Sequence, residues 1–175
     1  MARPNELDAF RAAWDREAKS TIRILESLPS DKYDFRPDPK GRSIGEMAWH
    51  LSEIDGCLSF GVAERRFRLD DNLPELVRPR QIELLASGYR KVHDLAVARL
   101  EKLEERELDD QVAYFDGSSL TIRQILWEAL LNHMIHHRAQ LVLLARQAGG
   151  APPGIYGPNR EEMQAIMAKM AAGKA

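Results

Sequence analysis

The chain contains a single cysteine, Cys57. A disulfide framework needs pairs of cysteines and a cysteine-rich zinc module needs several, so both are excluded, and a reducing compartment is compatible. No apolar run approaches the roughly 20 residues of a membrane-crossing helix. Asp8, Arg11, Asp15 and Arg16 interrupt the stretch where a secretory signal would need an unbroken apolar segment. An excess of one charge is missing too, because 25 Lys and Arg stand against 27 Asp and Glu for a net charge of −2. So weak a field does not recruit nucleic acid or an anionic membrane, and the basic clusters Arg65-Arg66-Phe67-Arg68 and Arg78-Pro79-Arg80 read as helix-end and loop charges. A soluble, cytoplasmic protein without nucleic-acid or membrane partners is expected. There is no glycine-rich phosphate loop and no G-x-S-x-G turn to single out a nucleophile.

What is present is helical periodicity. With 175 residues, 44% of them hydrophobic, the chain suits one substantial core, and a single domain over 1–175 is expected. Asn5 is a fair N-cap for a helix to about Leu28, with Leu7, Phe10, Trp14, Ala18, Ile22 and Leu25 on one face. After the proline-rich loop SDKYDFRPDPKGR, Ser43 and Glu46 form a capping box that opens a second helix. Met47, Leu51, Ile54, Leu58 and Val62 are its stripe, and His50 lies on or beside it. Gly45, Gly56 and Gly61 point to tertiary packing, with close approach of another helix as one reason for their size. A loop from Leu69 to Arg78 follows, then a third helix from Pro79 to about Glu105 on Ile82, Leu85, Tyr89, Val92, Ala96, Leu100 and Leu103. His93 falls next to that stripe and reads as a surface or boundary residue, and EKLEEREL as a solvated face. Val112, Tyr114 and Phe115 before Asp-Gly suggest a short extended segment or hairpin. At the other end, GGAPPGIYGP is expected to form an ordered turn with Ile155 and Tyr156 against the bundle. Asn159 and Glu162 can then cap a short terminal helix.

The stretch TIRQILWEALLNHMIHHRAQLVLLAR, Thr121 to Arg146, organises the rest. Thr121 and Gln124 make a third capping box, with Leu120 and Ile125 as a staple. Its apolar stripe, Ile122, Leu126, Leu130, His133, His137, Leu141 and Leu144, includes two imidazoles. Side chains four apart sit about 5–6 Å from each other at Cβ, so His133 and His137 can reach one ion. His136 points about 100° away and reads as a rim, outer-layer or surface residue. The competing reading is a pair of hydrogen-bonded core histidines, but burying each imidazole without a partner costs about 2 kcal/mol, and the stripe offers no polar neighbour.

Four long amphipathic helices argue for an all-α four-helix bundle with a short C-terminal helix, and bundles build metal sites from facing helices. His50 from the second helix, joined to His133 and His137, gives three neutral nitrogen ligands and leaves a position for water or substrate, as catalytic sites do. Other plans fit less well. HExxH would need glutamate where Met134 stands, and no Glu-x-x-His occurs for a di-iron site. Cys57 reads as a small buried hydrophobe.

RSIGEMAWHLSEID and the later HMIHHRAQL resemble the two signatures of the DinB-like superfamily of metal-binding four-helix bundles. The resemblance covers nearly the whole chain. HHRAQL is the most telling piece, with Ala139 where the family commonly has glycine and Asn132 where many relatives carry glutamate. What it implies is a divalent metal, usually nickel or zinc, on His50, His133 and His137, a frequent homodimer, and either thiol transferase or isomerase chemistry with a low-molecular-weight thiol or hydrolase activity. The first reading is therefore an enzyme in which the ion activates a small thiol or water for attack on a small electrophilic substrate. Its pocket walls would be drawn from Trp49, Glu53, Trp127, Tyr89 and Tyr156. The alternative is a non-catalytic bundle that senses, stores or is stapled by an ion.

Overall fold

The computed structural model describes residues 5–68 and 70–173; Leu69, the expected start of the second loop, lies outside them. The first helix, α1 (Glu6–Glu26), begins where Asn5 is extended and its side chain accepts from the Asp8 amide at 2.7 Å. A helix start leaves four amides without partners. Two of them are met from across the molecule, because the Glu105 carboxylate accepts from the Glu6 and Leu7 amides at 3.0 and 3.3 Å. EKLEEREL is accordingly not a plain solvated helix face. Part of it forms the short 3₁₀ turn Glu105–Glu107, which caps α1.

Helix α2 (Ile44–Ala63) opens on the expected capping box, with the Ser43 amide donating to Glu46 at 2.9 Å and the Glu46 amide to Ser43 at 3.3 Å. Its stripe of Met47, Leu51, Ile54, Leu58 and Val62 is buried throughout. Loop side chains, more than another helix, require its small residues. A Cβ on Gly45 would lie 2.3 Å from the Tyr33 ring, and one on Gly61 2.0 Å from the Phe67 ring.

Helix α3 (Leu85–Arg99) is shorter than its periodicity suggests. Pro79 stays in the loop, where its carbonyl accepts from the Tyr33 hydroxyl at 2.7 Å, and the 3₁₀ turn Ile82–Leu84 precedes the helix. At the other end, Arg11 donates to the carbonyls of Leu100, Glu101 and Leu103 at 2.9, 3.2 and 3.0 Å. That cation satisfies the carbonyls a helix end exposes, so coiling stops there. The antiparallel hairpin β1 (Gln111–Ala113) and β2 (Ser119–Thr121) follows, turned by Gly117 at φ 86°.

The fourth long helix, α4 (122–147), runs through three segments without a break. The Thr121–Gln124 capping box starts the turn Ile122–Gln124, a π-helical run Ile125–Asn132 follows, and the α-helix His133–Gln147 completes it. In a π-helix the pairing is i→i+5. Burial repeats at that interval, Ile125 and Leu126 being followed five residues later by Leu130 and Leu131. The inward line then continues through Met134, Arg138, Leu141 and Ala145 rather than through the two histidines. His133 and His137 are consequently half-buried at the edge of the core, a correction to the evenly stepped stripe. A short helix, α5 (Arg160–Ala172), capped by Asn159 and Glu162, ends the described chain and buries none of its residues.

The result is the expected all-α bundle with a small hairpin and a short C-terminal helix. α2 packs against α3 and α4, and α1 against the same two. Two polar knots cross this core. Asp55, wholly buried, accepts from Trp14 Nε1 at 3.0 Å, Tyr89 OH at 2.9 Å and His93 Nδ1 at 2.8 Å. His93 is therefore buried, not a surface residue, because Asp55 supplies the partner that burial demands. Arg138 forms the other knot, donating to the Glu17 carboxylate at 2.6 Å and to its carbonyl at 2.8 Å, and to Tyr156 OH at 2.6 Å. Arg138 also lies over the Tyr156 ring at 5.6 Å, but Tyr156 as a whole is 72% exposed, whereas Ile155 does pack on the core.

Removing one member of a buried pair leaves the other charge uncompensated. Arg138→Met is expected to lower the free energy of unfolding by about 3–5 kcal/mol in urea denaturation, against which Lys91→Met, at an exposed position away from this pair, serves as the control.

Candidate metal centre

α2 and α4 bring His50, His133 and His137 together. One ring nitrogen from each lies within 4.8 Å of the others. The ring centroids are 5.7 Å apart for His50 and His133, 4.7 Å for His50 and His137, and 4.6 Å for His133 and His137.

The outward nitrogens define the chemistry of the inward ones. His50 Nδ1 is 2.9 Å from Glu53 Oε2, His133 Nδ1 is 3.2 Å from the Ala129 carbonyl, and His137 Nδ1 is 2.7 Å from Gln140 Oε1. All three partners are acceptors, so each ring is best served by carrying its proton on Nδ1. The Nε2 atoms are then lone pairs, and those of His133 and His137 face each other at 2.8 Å. Two lone pairs at that distance repel unless a proton or a cation lies between them. Histidine ligands typically show this arrangement, ligating through one nitrogen while the other donates to a carboxylate or carbonyl. The donor set thus fits a divalent cation.

Neutrality is favoured as well. Burial first, then the charge of His50, lowers the pKa of His133 below the ordinary histidine value. Burial takes His137 further, to about 4, against the opposing effect of its bond to Gln140. Both shifts favour the neutral ring that coordination requires.

His136 stays outside the cluster. It is exposed, and its Nε2 meets the Gln140 amide at 2.9 Å, so Gln140 joins it to His137. Asn132 is exposed beside the cluster's first histidine on α4.

From His50 and His133 a cavity of about 490 Å³ runs along the outer face of α2, past Glu53, Cys57 and Phe60, to the loop after α2 and the hairpin tip at Tyr114 and Phe115. Of the expected pocket walls only Glu53 belongs to it. Trp49 is buried and donates to the Leu76 carbonyl at 2.9 Å, Tyr89 is held by Asp55, Trp127 donates to Glu6 at 3.1 Å, and Tyr156 is taken by Arg138 and Glu17. Cys57 is a second correction. Seven residues on from His50, it sits on the open face of α2 and is exposed to the cavity. Burial against the wall, then Glu53 and Glu75, raise its thiol pKa. Three of the cavity's aromatic residues, Phe67, Tyr114 and Phe115, come from a loop and a hairpin whose sequence has no periodicity to mark them, and the fourth, Phe60, lies on α2 outside its apolar stripe.

A helical bundle with three imidazoles converging beside a cavity defines the class of protein. The sequence model of the DinB family matches residues 1–171, and the chain belongs to that family. It is 27% identical over 157 residues to the uncharacterized protein YrdA of Bacillus subtilis (strain 168), covering 89% of this chain and 91% of that one. The crystal structure of a DinB-like protein from Bacillus cereus ATCC 10987 superposes with a TM-score of 0.70 at 27% identity, covering 85% of this chain and 97% of the other. The DinB-like protein YjoA of Bacillus subtilis shares the fold, with a TM-score of 0.69 at 22% identity over 87% and 99% of the two chains.

The geometry separates the histidines by role. Alanine at His50, His133 or His137 is expected to abolish retention of a stoichiometric divalent ion. His136→Ala keeps the stoichiometry with at most an approximately 10–100-fold loss of affinity, and His93→Ala keeps the ion while destabilising the fold. Metal analysis after dialysis of untagged protein checks this, and an ion lost from His136→Ala but kept by His137→Ala would place the site on the wrong face.

Proposed function

We propose that the chain is a divalent-metal-dependent enzyme in which His50, His133 and His137 hold the ion and a low-molecular-weight thiol or water attacks a small electrophilic substrate. The observation that carries this reading is the convergence of three imidazoles, two of which, His50 and His133, line a cavity. Three protein ligands leave a coordination position for a reactant. Bound there, a divalent ion lowers the pKa of a thiol or water and polarises the electrophile.

Glu53, Ala129 and Gln140 hold the ring orientations through the three Nδ1 atoms. Both carboxylates on the cavity wall are already paired, Glu53 with His50 and Asp71 with Arg66. A free general base is therefore not at hand. That favours a thiol over water as nucleophile, since a coordinated thiol is deprotonated outright whereas water needs a larger shift. Zinc and nickel are the metals we assign, because imidazole nitrogen suits both. A cytoplasmic location accords with the free Cys57. For the homodimer, the support is the unpartnered apolar face of α5, where Met163, Ile166, Met167 and Met170 are 44–60% exposed.

The second reading, a non-catalytic ion-binding bundle, draws on the same absence of a free acid or base. Turnover by zinc- or nickel-loaded protein separates the two. Thiols offered with electrophile panels are expected to be consumed, with esters and amides untouched. Hydrolysis without thiol would make water the nucleophile, and no turnover in either panel would favour the binding protein.

A further inference from the structure

The substrate's shape can be read from the cavity beyond the histidines. His50, Glu53, Cys57 and Phe60 follow one another at steps of three and four along α2, so they form a single lane down one face of the helix. At about 1.5 Å per residue, Cys57 lies about 10 Å along the axis from His50. The volume of about 490 Å³ is that of a site for a small organic molecule.

The far end of the lane carries cations, but they are spoken for. Arg66 is bidentate to Asp71 at 2.9 and 2.8 Å and lies over the Phe60 ring at 5.8 Å. Arg68 is paired with Asp70 at 2.9 and 2.6 Å. Among the described residues that line this end, each cation already has a carboxylate partner. What remains is carbon. Phe67 and Tyr114 offer ring surface beside Ile54, Leu58 and Leu76, and the Phe67 ring is seated on Gly61, where any side chain would displace it. His50, His133 and Glu53 thus mark one end of the lane, while the other, its charges paired with one another, presents mainly apolar surface.

We propose that the site takes a substrate with an apolar, alkyl or aryl body about two helical turns long, whose polar reacting end lies at the three histidines. A small, wholly polar molecule would leave that surface uncovered. The inference rests on the metal reading for its polar end only, because the apolar lane belongs to the protein whether or not an ion is bound.

Hydroxamates of increasing chain length test it, since their head group binds a divalent ion and their tail reports the lane. Each methylene fully withdrawn from water strengthens binding about fourfold. Partial burial is enough for octanohydroxamate to bind zinc-loaded protein at least about tenfold more tightly than acetohydroxamate by calorimetry. Cys57→Trp, which fills the middle of the lane, is expected to erase that gain while keeping the metal. Because Cys57 is the only thiol in the chain, its alkylation by N-ethylmaleimide gives a second readout in the unmodified sequence. Octanohydroxamate on the zinc protein, and octanoate on the metal-free protein, are expected to slow it about tenfold at saturation, as burial of most of a pocket ligand's surface implies. Acetohydroxamate failing to bind while octanoate still protects Cys57 would count against the metal reading and support the lane. Equal affinities for the short and long hydroxamates, or unchanged alkylation with the octyl ligands, would overturn the inference.

Discussion

One buried carboxylate holds the four long helices in the relation that the histidine cluster needs. Asp55 is on α2, five residues after His50, and draws donors from α1 through Trp14 and from α3 through Tyr89 and His93. The Tyr89 oxygen also lies 3.2 Å from the Met134 sulfur on α4, next to His133. Burial and the neighbouring Asp55 push the Tyr89 pKa far up, so its hydroxyl remains a donor. A fully partnered buried network specifies one arrangement, because sliding any helix would leave a polar group without a bond in a medium of low dielectric. The distance between His50 on one helix and His133 and His137 on another is thereby set by groups that do not touch the site.

The π-helical run acts on the same problem from within α4. Its five-residue interval rotates the rest of the helix, so that Met134 and Arg138 enter the core while His133 and His137 turn towards α2 and the cavity. On the function proposed above, wholly buried imidazoles would leave a reactant no access, and wholly exposed ones would not share an ion with His50. Half-burial at the edge meets both needs, and it removes the need for a polar partner on the apolar stripe. The Nδ1 partners come instead from Ala129, Gln140 and Glu53, each within one helical turn of its histidine.

Much of this was legible in the chain. Side chains that act on their own helix are visible at fixed offsets, which is why Ser43 with Glu46, Thr121 with Gln124 and Asn159 with Glu162 all cap as their spacing suggests. His133 and His137 show themselves in the same way, being one turn apart on an apolar helix. His50 joins them because it lies on or just beside the buried face of the second helix, and bundles build such sites from side chains on facing helices. Partners far apart in sequence were not visible. His93 reads as a surface or boundary residue because it falls next to its helix's stripe, and the partner that buries it, Asp55, is 38 residues away. Arg138 and Glu17, separated by 121 residues, each look like surface charges until they meet. Cys57 was misplaced for a related reason: a cavity formed by a loop and a hairpin has no periodicity, so the face of α2 that it leaves open cannot be distinguished from a buried one. The π run left a faint mark, the apolar doublets Ile125-Leu126 and Leu130-Leu131 five residues apart.

The central claim is that three imidazoles, and no thiolate, form the protein's share of a metal's coordination shell. X-ray absorption fine structure of the zinc-reconstituted, untagged protein addresses it directly, because imidazole rings and sulfur scatter distinctly. The account predicts three histidine nitrogens with their ring-carbon outer shells, one or more light exchangeable ligands, and no sulfur. A sulfur in the first shell, or a shell without imidazole scattering, would contradict it.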